Sequence, residues 1–541
     1  MVADAAPGNT AGAVPASGAA GGRAAPAAPA MALLGVLLAL PAAGIAAARG
    51  FDGLYGQDAY AYFDYGAVSV RQSIVHLAPL EAFFWPPGYP LLVALASMAV
   101  GQIPLAGQIV SLLMGALVPV FTALLFRELM PGDVGVALLA GVLVALCGQL
   151  WQSSIVVMAD TTGLALATLS AWALVRYQRT GRLPWLLLAS FAIAYATLAR
   201  WIYGLVAIPF AIYALLALPR SRPLTAGLHA VAGLLLAAAL LLPLLGPPLL
   251  GLLSHPDAPA AFAGNLQVYS WSPLNAVRRD FFTADGHLSY SLPNGVYYAI
   301  APANPAFFGP LLAAWIAVGL WAAAWPSRQL RGRTGPWPWP TLLLILGWAG
   351  VVYAFHAGAA WQNFRFSLAY LPPLAILAAT GLAWAWRRLD RRAGALVLAC
   401  AALGLVASAG GAIRLVERFI DRKDDDLALV RWVQTETPPG AQLLSFGPTL
   451  AFRHYTSLPT FDLFDLTPND LDAVMATAAP TYVLLDEQNV EDQWLGQAPA
   501  VNWHRLRDLP GTSTIGSDGS YTLLRIGTRS NDPSQPAPPR G

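Results

Sequence analysis

The feature that most constrains this chain is a series of apolar stretches, each long enough to cross a bilayer as a helix, which takes about 17 to 25 residues. We predict eleven such spans, near residues 31–48, 104–126, 134–152, 160–177, 184–199, 201–218, 225–250, 306–326, 340–356, 367–386 and 394–413. Hydrophobic residues make up 57% of the chain and charged residues only 11%, whereas soluble domains have about a quarter charged residues. The sequence therefore predicts a mainly α, polytopic membrane bundle.

The arginines set the orientation of these spans. With a cytoplasmic N-terminus, thirteen arginines fall in the short inside loops, whereas the outside loop 153–159 holds none and the outside loop 357–366 holds only Arg365. This distribution follows the positive-inside rule. The apolar run Pro87–Val100 is short and begins in a proline pair, so we interpret it as a helix on the membrane surface, or dipping into it. Counting it as a span would move the arginine clusters outside.

Composition divides the chain into domains. The predicted divisions are a disordered tail at 1–30, a membrane domain at 31–413, a small α/β domain at 414–528 and a disordered tail at 529–541. Ala, Gly and Pro dominate the tails, which lack the apolar residues needed to fold. Two long outside loops, 49–103 and 251–305, interrupt the membrane domain; loops of this length are usually functional. By parity of the spans, the α/β domain also lies outside.

Several classes of function are excluded or disfavoured. The net charge of +2 gives no reason to expect a nucleic-acid partner. Both cysteines, Cys147 and Cys400, lie in apolar runs, so neither a disulfide framework nor a cysteine metal site is available. The α/β domain has no glycine-rich phosphate loop, nucleophile elbow or cluster of metal ligands, which disfavours catalysis there. Lys423 is the only lysine.

Two aspartates stand at the predicted outer face. Asp58 lies just after the first span among aromatic residues, and Asp160 opens the fourth span. For each, the simpler explanation is a loop carboxylate or a helix N-cap. Their similar predicted depth favours a shared site, and we predict both as catalytic candidates.

Two arginines also reach the outer face, where the positive-inside rule does not place them. These are Arg200, between two short spans, and Arg365, on an outside loop. Such residues pair with an acid or bind an anion. The structural alternative is an ion pair with Asp58 or Asp160. We predict an anion site here, with His255 of the second outer loop as a weaker phosphate-binding candidate.

Aromatic residues surround these charges, and sugar rings pack against such walls. The predicted substrate-binding residues are Tyr60, Tyr62, Trp85, Tyr89 and Trp201. A purely structural reading explains Trp85 and Tyr89 equally well, since a proline pair fixes the turn between them and both residue types favour the membrane interface.

The order of these motifs resembles the GT-C membrane glycosyltransferases, and in particular glycosyltransferase family 39. The resemblance rests on Asp58-Ala-Tyr-Ala-Tyr62, Pro86-Pro-Gly-Tyr-Pro-Leu91, Asp160, Leu198–Arg200 and Arg365-Phe followed by Tyr370-Leu-Pro-Pro373. This family includes protein O-mannosyltransferases and lipid A aminoarabinose transferases. The resemblance covers roughly residues 31 to 413 and implies a GT-C bundle with a periplasmic C-terminal domain, in a bacterial inner membrane.

The resemblance also implies a reaction. The sugar donor would be a polyprenyl-phosphate lipid and the acceptor a lipid, glycan or protein. Asp58 would be the general base of an inverting transfer, while Arg200 and Arg365 would stabilise the leaving phosphate. No cofactor is predicted with certainty, and a divalent cation stays open.

Two departures from the family pattern bear on the substrate. Ala59 follows Asp58 where many relatives have Asp-Glu, and Phe84-Trp85 stand where aminoarabinose transferases have Glu-Lys. These differences argue against the aminoarabinose reaction and leave the donor sugar open. The rival hypothesis is a transporter or flippase for an anionic or lipid-linked substrate, and a third is a membrane anchor for a binding domain. Transporters usually contain internal repeats, and we find none here.

Overall fold

The computed structural model describes residues 27–81, 83–131, 133–216, 223–254, 270–324 and 337–527. The predicted C-terminal tail, most of the predicted N-terminal tail and His255 lie outside these ranges. The first helix begins at Ala27, just inside the predicted tail.

The described chain is mainly helical, as predicted. The helices up to the second outer loop are α1 Ala27–Ala48, α2 Gln57–Phe63, α3 Arg71–His76, α4 Gly88–Val100, α5 Leu105–Leu129, α6 Val134–Ala145, α7 Gly148–Ile155, α8 Asp160–Thr180, α9 Leu183–Ala199, α10 Ile202–Leu216 and α11 Pro223–Ser254. Those that follow are α12 Asn294–Ile300, α13 Gly309–Ala324, α14 Trp339–Gly358, α15 Leu371–Arg388, α16 Arg391–Glu436, α17 Thr449–Tyr455, α18 Pro468–Met475, α19 Glu487–Gln493 and α20 Ala498–Arg507. A π-helical segment, Asp64–Val70, joins α2 to α3.

Every predicted span coincides with a helix or, at 134–152, with the bent pair α6 and α7. Within the described ranges, six helices are individually long and apolar enough to cross a membrane, and the bent pair makes a seventh. The chain is therefore a multi-pass membrane protein, while the count of eleven stays a prediction. Helix α4 has 13 residues, about 20 Å at 1.5 Å per residue, which is shorter than a bilayer core of about 30 Å.

Helix α8 lies at the centre of the bundle. It packs against α5 on one side and α9 on the other, and most of its length is buried. Small residues allow this close approach, because Gly163, Ala165, Ala167 and Ala171 leave room for neighbouring helices. The N-terminal end of this buried helix is Asp160.

The C-terminal region forms a five-stranded sheet with helices. The strands are β3 Gln442–Ser445, β4 Thr460–Asp462, β5 Thr481–Leu485, β6 Ser513–Asp518 and β7 Tyr521–Arg525, in the order β4-β3-β5-β7-β6. Strand β3 runs parallel to β4 and β5, whereas β7 is antiparallel to β5 and β6. All five residues of β5 are buried, as expected for a strand covered on both faces. The predicted small α/β fold is confirmed.

Two features differ from the sequence prediction. Helix α16 runs without a break through residues 413 and 414, where we predicted a domain boundary, so one helix enters both regions. The second outer loop contains an unpredicted antiparallel hairpin of β1 Asp280–Thr283 and β2 Gly286–Ser289. A four-residue strand with little apolar alternation gives no clear sequence signal.

Candidate active site

Asp58 lies in the first turn of α2, and its carboxylate faces another part of the chain. The N-cap of α2 is Gly56, so Asp58 does not fill the capping position. Its Oδ2 atom instead accepts a hydrogen bond of 2.6 Å from Nη2 of Arg365. Both side chains are mostly buried, with 22% of Asp58 and 19% of Arg365 exposed. Residues 307 positions apart therefore form a charge-assisted pair.

Asp160 and Arg200 form a second, more deeply buried pair. Asp160 is the first residue of α8, and its cap position belongs to Ala159. Arg200 adopts an extended conformation in the break between α9 and α10, and its Nη2 donates to Asp160 Oδ1. Only 7% of Asp160 and 15% of Arg200 are exposed. The carboxylate also lies at a helix N-terminus, where the helix dipole favours negative charge.

Arg365 connects the two pairs. Besides binding Asp58, its Nε lies 3.9 Å from Oδ2 of Asp160, and its Nη1 donates to the sulfur of Met158 at 2.9 Å. The backbone N–H of Arg365 donates to the side chain of Asn363, which caps the 3₁₀ helix Phe364–Tyr370. The four predicted charged residues thus form one cluster whose formal charges sum to zero.

The position of Arg200 depends on close backbone packing. Gly88, at the start of α4, lies against the end of α9, and a Cβ at this position would meet the carbonyl of Leu198 at 2.7 Å. The hydroxyl of Tyr195 donates to the Gly88 carbonyl at 3.0 Å. Since Arg200 is two residues after Leu198, α4 and α9 fix it together.

A narrow pocket of about 40 Å³ opens between the charged residues and an aromatic wall. It is lined by Trp85, Pro86, Asp160, Arg200, Trp201, Ile202, Tyr203, Phe355, His356, Arg365, Phe366, Leu368 and Ala369. The guanidinium groups of Arg200 and Arg365 lie 5.8 Å and 5.3 Å from the centre of the Phe366 ring. Sites for small molecules usually measure roughly 300–1,000 Å³, so the walls must open before a sugar ring enters.

The predicted substrate residues divide into three groups. Trp85 and Trp201 line the pocket. Tyr62 lies just behind it and stacks on Trp85 with 5.0 Å between ring centres. Tyr89 and Tyr60 are not among the lining residues: the Tyr89 hydroxyl contacts the Gly107 carbonyl and Ser111 inside the bundle, and Tyr60 packs against the C-terminal domain.

His356 is not among the predicted site residues, yet the structure brings it into the pocket. His356 is 5% exposed, lies near the end of α14, and stacks on Phe366 with 5.1 Å between ring centres. A lone histidine gives no motif. The available signal was its position at the outer end of a predicted span, nine residues before Arg365.

Buried polar atoms around the pocket lack hydrogen-bond partners among the described residues. They are the Tyr62 hydroxyl, Oδ2 of Asp160, Nδ1 of His356 and Nε of Arg365. Burial raises the pKa of the Tyr62 phenol well above its ordinary value, so Tyr62 is a neutral donor. Since buried polar groups in folded proteins are nearly always hydrogen-bonded to protein or water, these atoms are available to bind a polar ligand. No group of three or more potential metal ligands occurs in the described ranges.

An apolar groove lies within one helical turn of Arg200. It measures about 370 Å³ and is formed by α8, α9, α10 and α11. Thr197 and Gly204 lie at one end of it, and its wall follows α9 through Ile193 and Ala189 to Leu186. The twelve residues from Leu186 to Thr197 rise about 16 Å, roughly half of a bilayer core.

A polar groove of about 600 Å³ occupies part of the second outer loop. It lies between the hairpin β1–β2 and α19, and its wall includes His287, Tyr290, Asp486, Asn489 and Asp492. Hydrogen bonds from the side chains of Gln493 and Gln497 to the hairpin backbone join the two walls.

Similarity to known proteins bears on the identity of this site. A family model described as dolichyl-phosphate-mannose-protein mannosyltransferase matches residues 85–246, less than a third of the chain. The fold is similar to that of ArnT from Cupriavidus metallidurans in the apo state, with a TM-score of 0.56 at 15% identity, covering 90% of this chain and 97% of that chain. The chain therefore has the fold of ArnT, and its residues 85–246 are similar to the mannosyltransferase family.

A second ArnT structure, bound to undecaprenyl phosphate, matches this chain with a TM-score of 0.57 at 14% identity, covering 92% of this chain and 98% of that chain. The S. cerevisiae Pmt1–Pmt2 complex bound to the sugar donor has 16% identity over 48% of this chain and 41% of that chain, and its TM-score of 0.31 is too low to support an argument. No curated protein sequence matches.

The segment matched by the family model includes half of the charged cluster. Within residues 85–246 lie Trp85, Asp160, Arg200 and Trp201, all of which line the pocket. Asp58 precedes the matched segment and Arg365 follows it. The predicted resemblance is confirmed, while the roles of individual residues stay predictions.

Proposed function

We propose that this protein is a glycosyltransferase that moves a sugar from a polyprenyl-phosphate donor to an acceptor at the outer face of a bacterial inner membrane, with inversion at the anomeric carbon. The observation that carries the proposal is the cluster of Asp58, Asp160, Arg200 and Arg365 beside a pocket with unpartnered polar atoms. ArnT, whose fold the chain shares, has been observed with undecaprenyl phosphate.

The arginines are suited to hold the donor phosphate. Arg200 and Arg365 both line the pocket, and guanidinium groups bind phosphate through paired hydrogen bonds. In the reaction the phosphate gains a negative charge as the bond to the sugar breaks. Interactions that strengthen with this charge lower the barrier, because they stabilise the transition state more than the ground state.

Asp58 is the better placed of the two carboxylates to act as base. Asp160 is more deeply buried and lies near both arginines, whereas Asp58 has its hydrogen bond to Arg365 and greater exposure. When Arg365 turns to the donor phosphate, Asp58 is released and accepts the proton of the acceptor hydroxyl. That oxygen attacks the anomeric carbon, and the electron pair of the broken bond leaves with the polyprenyl phosphate.

The charges balance throughout this step. Asp58 loses its negative charge on protonation while the leaving phosphate gains one, so the net charge of the site is unchanged. The phosphate leaves without needing a proton, which explains why one carboxylate base suffices where glycoside hydrolases use a pair. Attack from the face opposite the phosphate inverts the anomeric configuration.

The apolar groove suits the prenyl tail of the donor. Thr197 and Gly204, at one end of the groove, are three and four residues from Arg200, so a phosphate held by this arginine can continue into a hydrocarbon chain between α9, α10 and α11. The groove follows α9 toward the interior of the membrane, as a lipid tail does. The headgroup and tail of one lipid therefore fit adjoining sites.

The acceptor would approach from the outer face. The polar groove between the hairpin and α19 offers hydroxyl, amide and carboxylate groups to a polar acceptor, and contains no arginine or lysine in its wall. A neutral or amino-substituted acceptor fits this wall better than an anionic one.

The proposal is tested by transfer of radiolabelled sugar from a panel of polyprenyl-phosphate donors into membrane extracts. We expect wild-type protein and the Asp64→Asn control, which changes an exposed aspartate of the same loop, to transfer sugar at similar rates, and Asp58→Asn to be inactive. Equal transfer by folded Asp58→Asn would overturn the base assignment. Donor movement across the membrane without transfer would favour the flippase hypothesis.

A further inference from the structure

The single lysine of the chain lies at the centre of a buried network outside the active site. Lys423 of α16 is 3% exposed. Its Nζ donates to Oδ1 of Asp52 at 2.9 Å, to the Tyr455 hydroxyl at 2.5 Å and to the Leu54 carbonyl. An ammonium group has three N–H donors, so all of them are used.

Tyr455 closes this network into a ring. Its hydroxyl accepts from Lys423 and donates to the other carboxylate oxygen of Asp52. The ammonium group also lies 4.6 Å from the centre of the Tyr455 ring, and 5.8 Å from those of Phe51 and Tyr60. The hydrogen-bonded network of Lys423, Asp52 and Tyr455 joins three parts of the chain: the first outer loop, α16, and α17 of the C-terminal domain.

The outer-loop members of this network lie close in sequence to Asp58. Asp52 and Leu54 precede Asp58 by six and four residues, and Tyr60 follows it by two. On a helix, residues two apart point about 200° apart, so α2 presents Asp58 and Tyr60 to opposite sides. Tyr60 contacts His454 and Tyr455, with ring centres 5.7 Å and 6.3 Å away.

Helix α2 is thus held from both sides. Arg365 of the membrane domain binds Asp58 on one side, while the Lys423 network and α17 pack against Tyr60 on the other. The helix continues through the π-helical segment into α3. These two sets of contacts act on its first turns, where Asp58 lies.

We propose that Lys423 is a positioning residue, which keeps Asp58 in place for proton transfer by tying the first outer loop to the C-terminal domain. The inference rests on the proposed role of Asp58. It makes the C-terminal domain part of the catalytic apparatus, because Tyr455 supplies two bonds of the network. A base displaced by about 1 Å can cost about 100-fold in rate.

The test compares Lys423→Met, Lys423→Arg and Tyr455→Phe with wild-type protein, each purified as a monodisperse full-length chain. The readouts are kcat per folded molecule and the Kd for undecaprenyl phosphate, which Arg200 and Arg365 would bind. The matched control is Arg49→Ala. It removes exposed ion pairs with Asp421 and Asp424, which lie on α16 next to Lys423. Exposed pairs of this kind contribute little.

We expect Lys423→Met to lower kcat at least tenfold with a Kd within about threefold of wild type, Lys423→Arg to restore part of the rate, and the control to match wild type. Tyr455→Phe should also lower kcat. Its kcat tests the positioning role if Lys423→Met does not fold. Unchanged kcat in folded Lys423→Met or Tyr455→Phe would overturn the positioning role while leaving the proposed function intact. Failure of wild-type protein to transfer sugar would instead count against the proposed function.

Discussion

Replacing Arg365 by glutamine removes the charge that links both aspartates. The wild-type guanidinium donates to Asp58 at 2.6 Å, lies 3.9 Å from Asp160 and is only 19% exposed. In the proposed reaction it turns to the phosphate as that group gains charge. Loss of one buried donor to a developing oxyanion costs about 2.7–4 kcal/mol, or about 100- to 1,000-fold in kcat. We expect Arg365→Gln to show a loss of this size.

The assay is single-turnover transfer at saturating donor, normalised to the monodisperse fraction after size exclusion. Arg365→Lys keeps the charge but loses the planar pair of donors, so its rate should lie between those of Arg365→Gln and wild type. Arg279→Gln is the control, because Arg279 lies on an outer loop and is 64% exposed. A kcat for folded Arg365→Gln within about threefold of wild type would refute the proposed stabilisation of the leaving group.

Three further predictions concern the groove, the packing near the pocket and pH. Ala207→Trp should fill the apolar groove and weaken donor binding at least tenfold, whereas Ile208→Trp, on the exposed side of the same helix, should bind normally; a lipid-binding titration compares them. Gly88→Ala should lower stability by about 1–3 kcal/mol and reduce kcat, because the added Cβ meets the Leu198 carbonyl; thermal unfolding in detergent measures this. Burial lowers the pKa of His454 from 6.5. As pH falls through 6.5, the unfolded chain therefore binds the proton before the folded protein does, and the free energy of unfolding should decrease toward about pH 5. The decrease should be less steep in His454→Gln.

The helices of the membrane domain could be predicted from the sequence because hydropathy is a local property of the chain. Each predicted span coincides with a helix or a bent pair, and the runs at Gln442 and Thr481 are strands. The aspartates and arginines were identified by their predicted depth at the outer face, which depends only on counting spans. Their pairing was left open, since Asp58 and Arg365 are separated by 307 positions and no spacing rule connects them.

Features that depend on tertiary contacts were not predictable in this way. Lys423 lies in the charged run Asp421–Asp426, which by itself indicates a solvated helix surface, yet it is buried against Asp52. Tyr60 and Tyr62 are two residues apart, and only the packing of α2 separates the one that meets the C-terminal domain from the one behind the pocket. His356 is placed beside the arginines by stacking on Phe366.

The most direct test of the proposed reaction follows both products of one turnover. A polyprenyl-phosphate sugar is incubated with the purified protein and an acceptor membrane extract, with ³¹P NMR to detect free polyprenyl phosphate and ¹H NMR to read the anomeric configuration of the new glycoside. We expect polyprenyl phosphate to be released in proportion to the glycoside formed, and the anomeric configuration to be inverted. Asp58→Asn should form neither product. Retained configuration, or donor that crosses the membrane chemically intact, would contradict the proposed reaction.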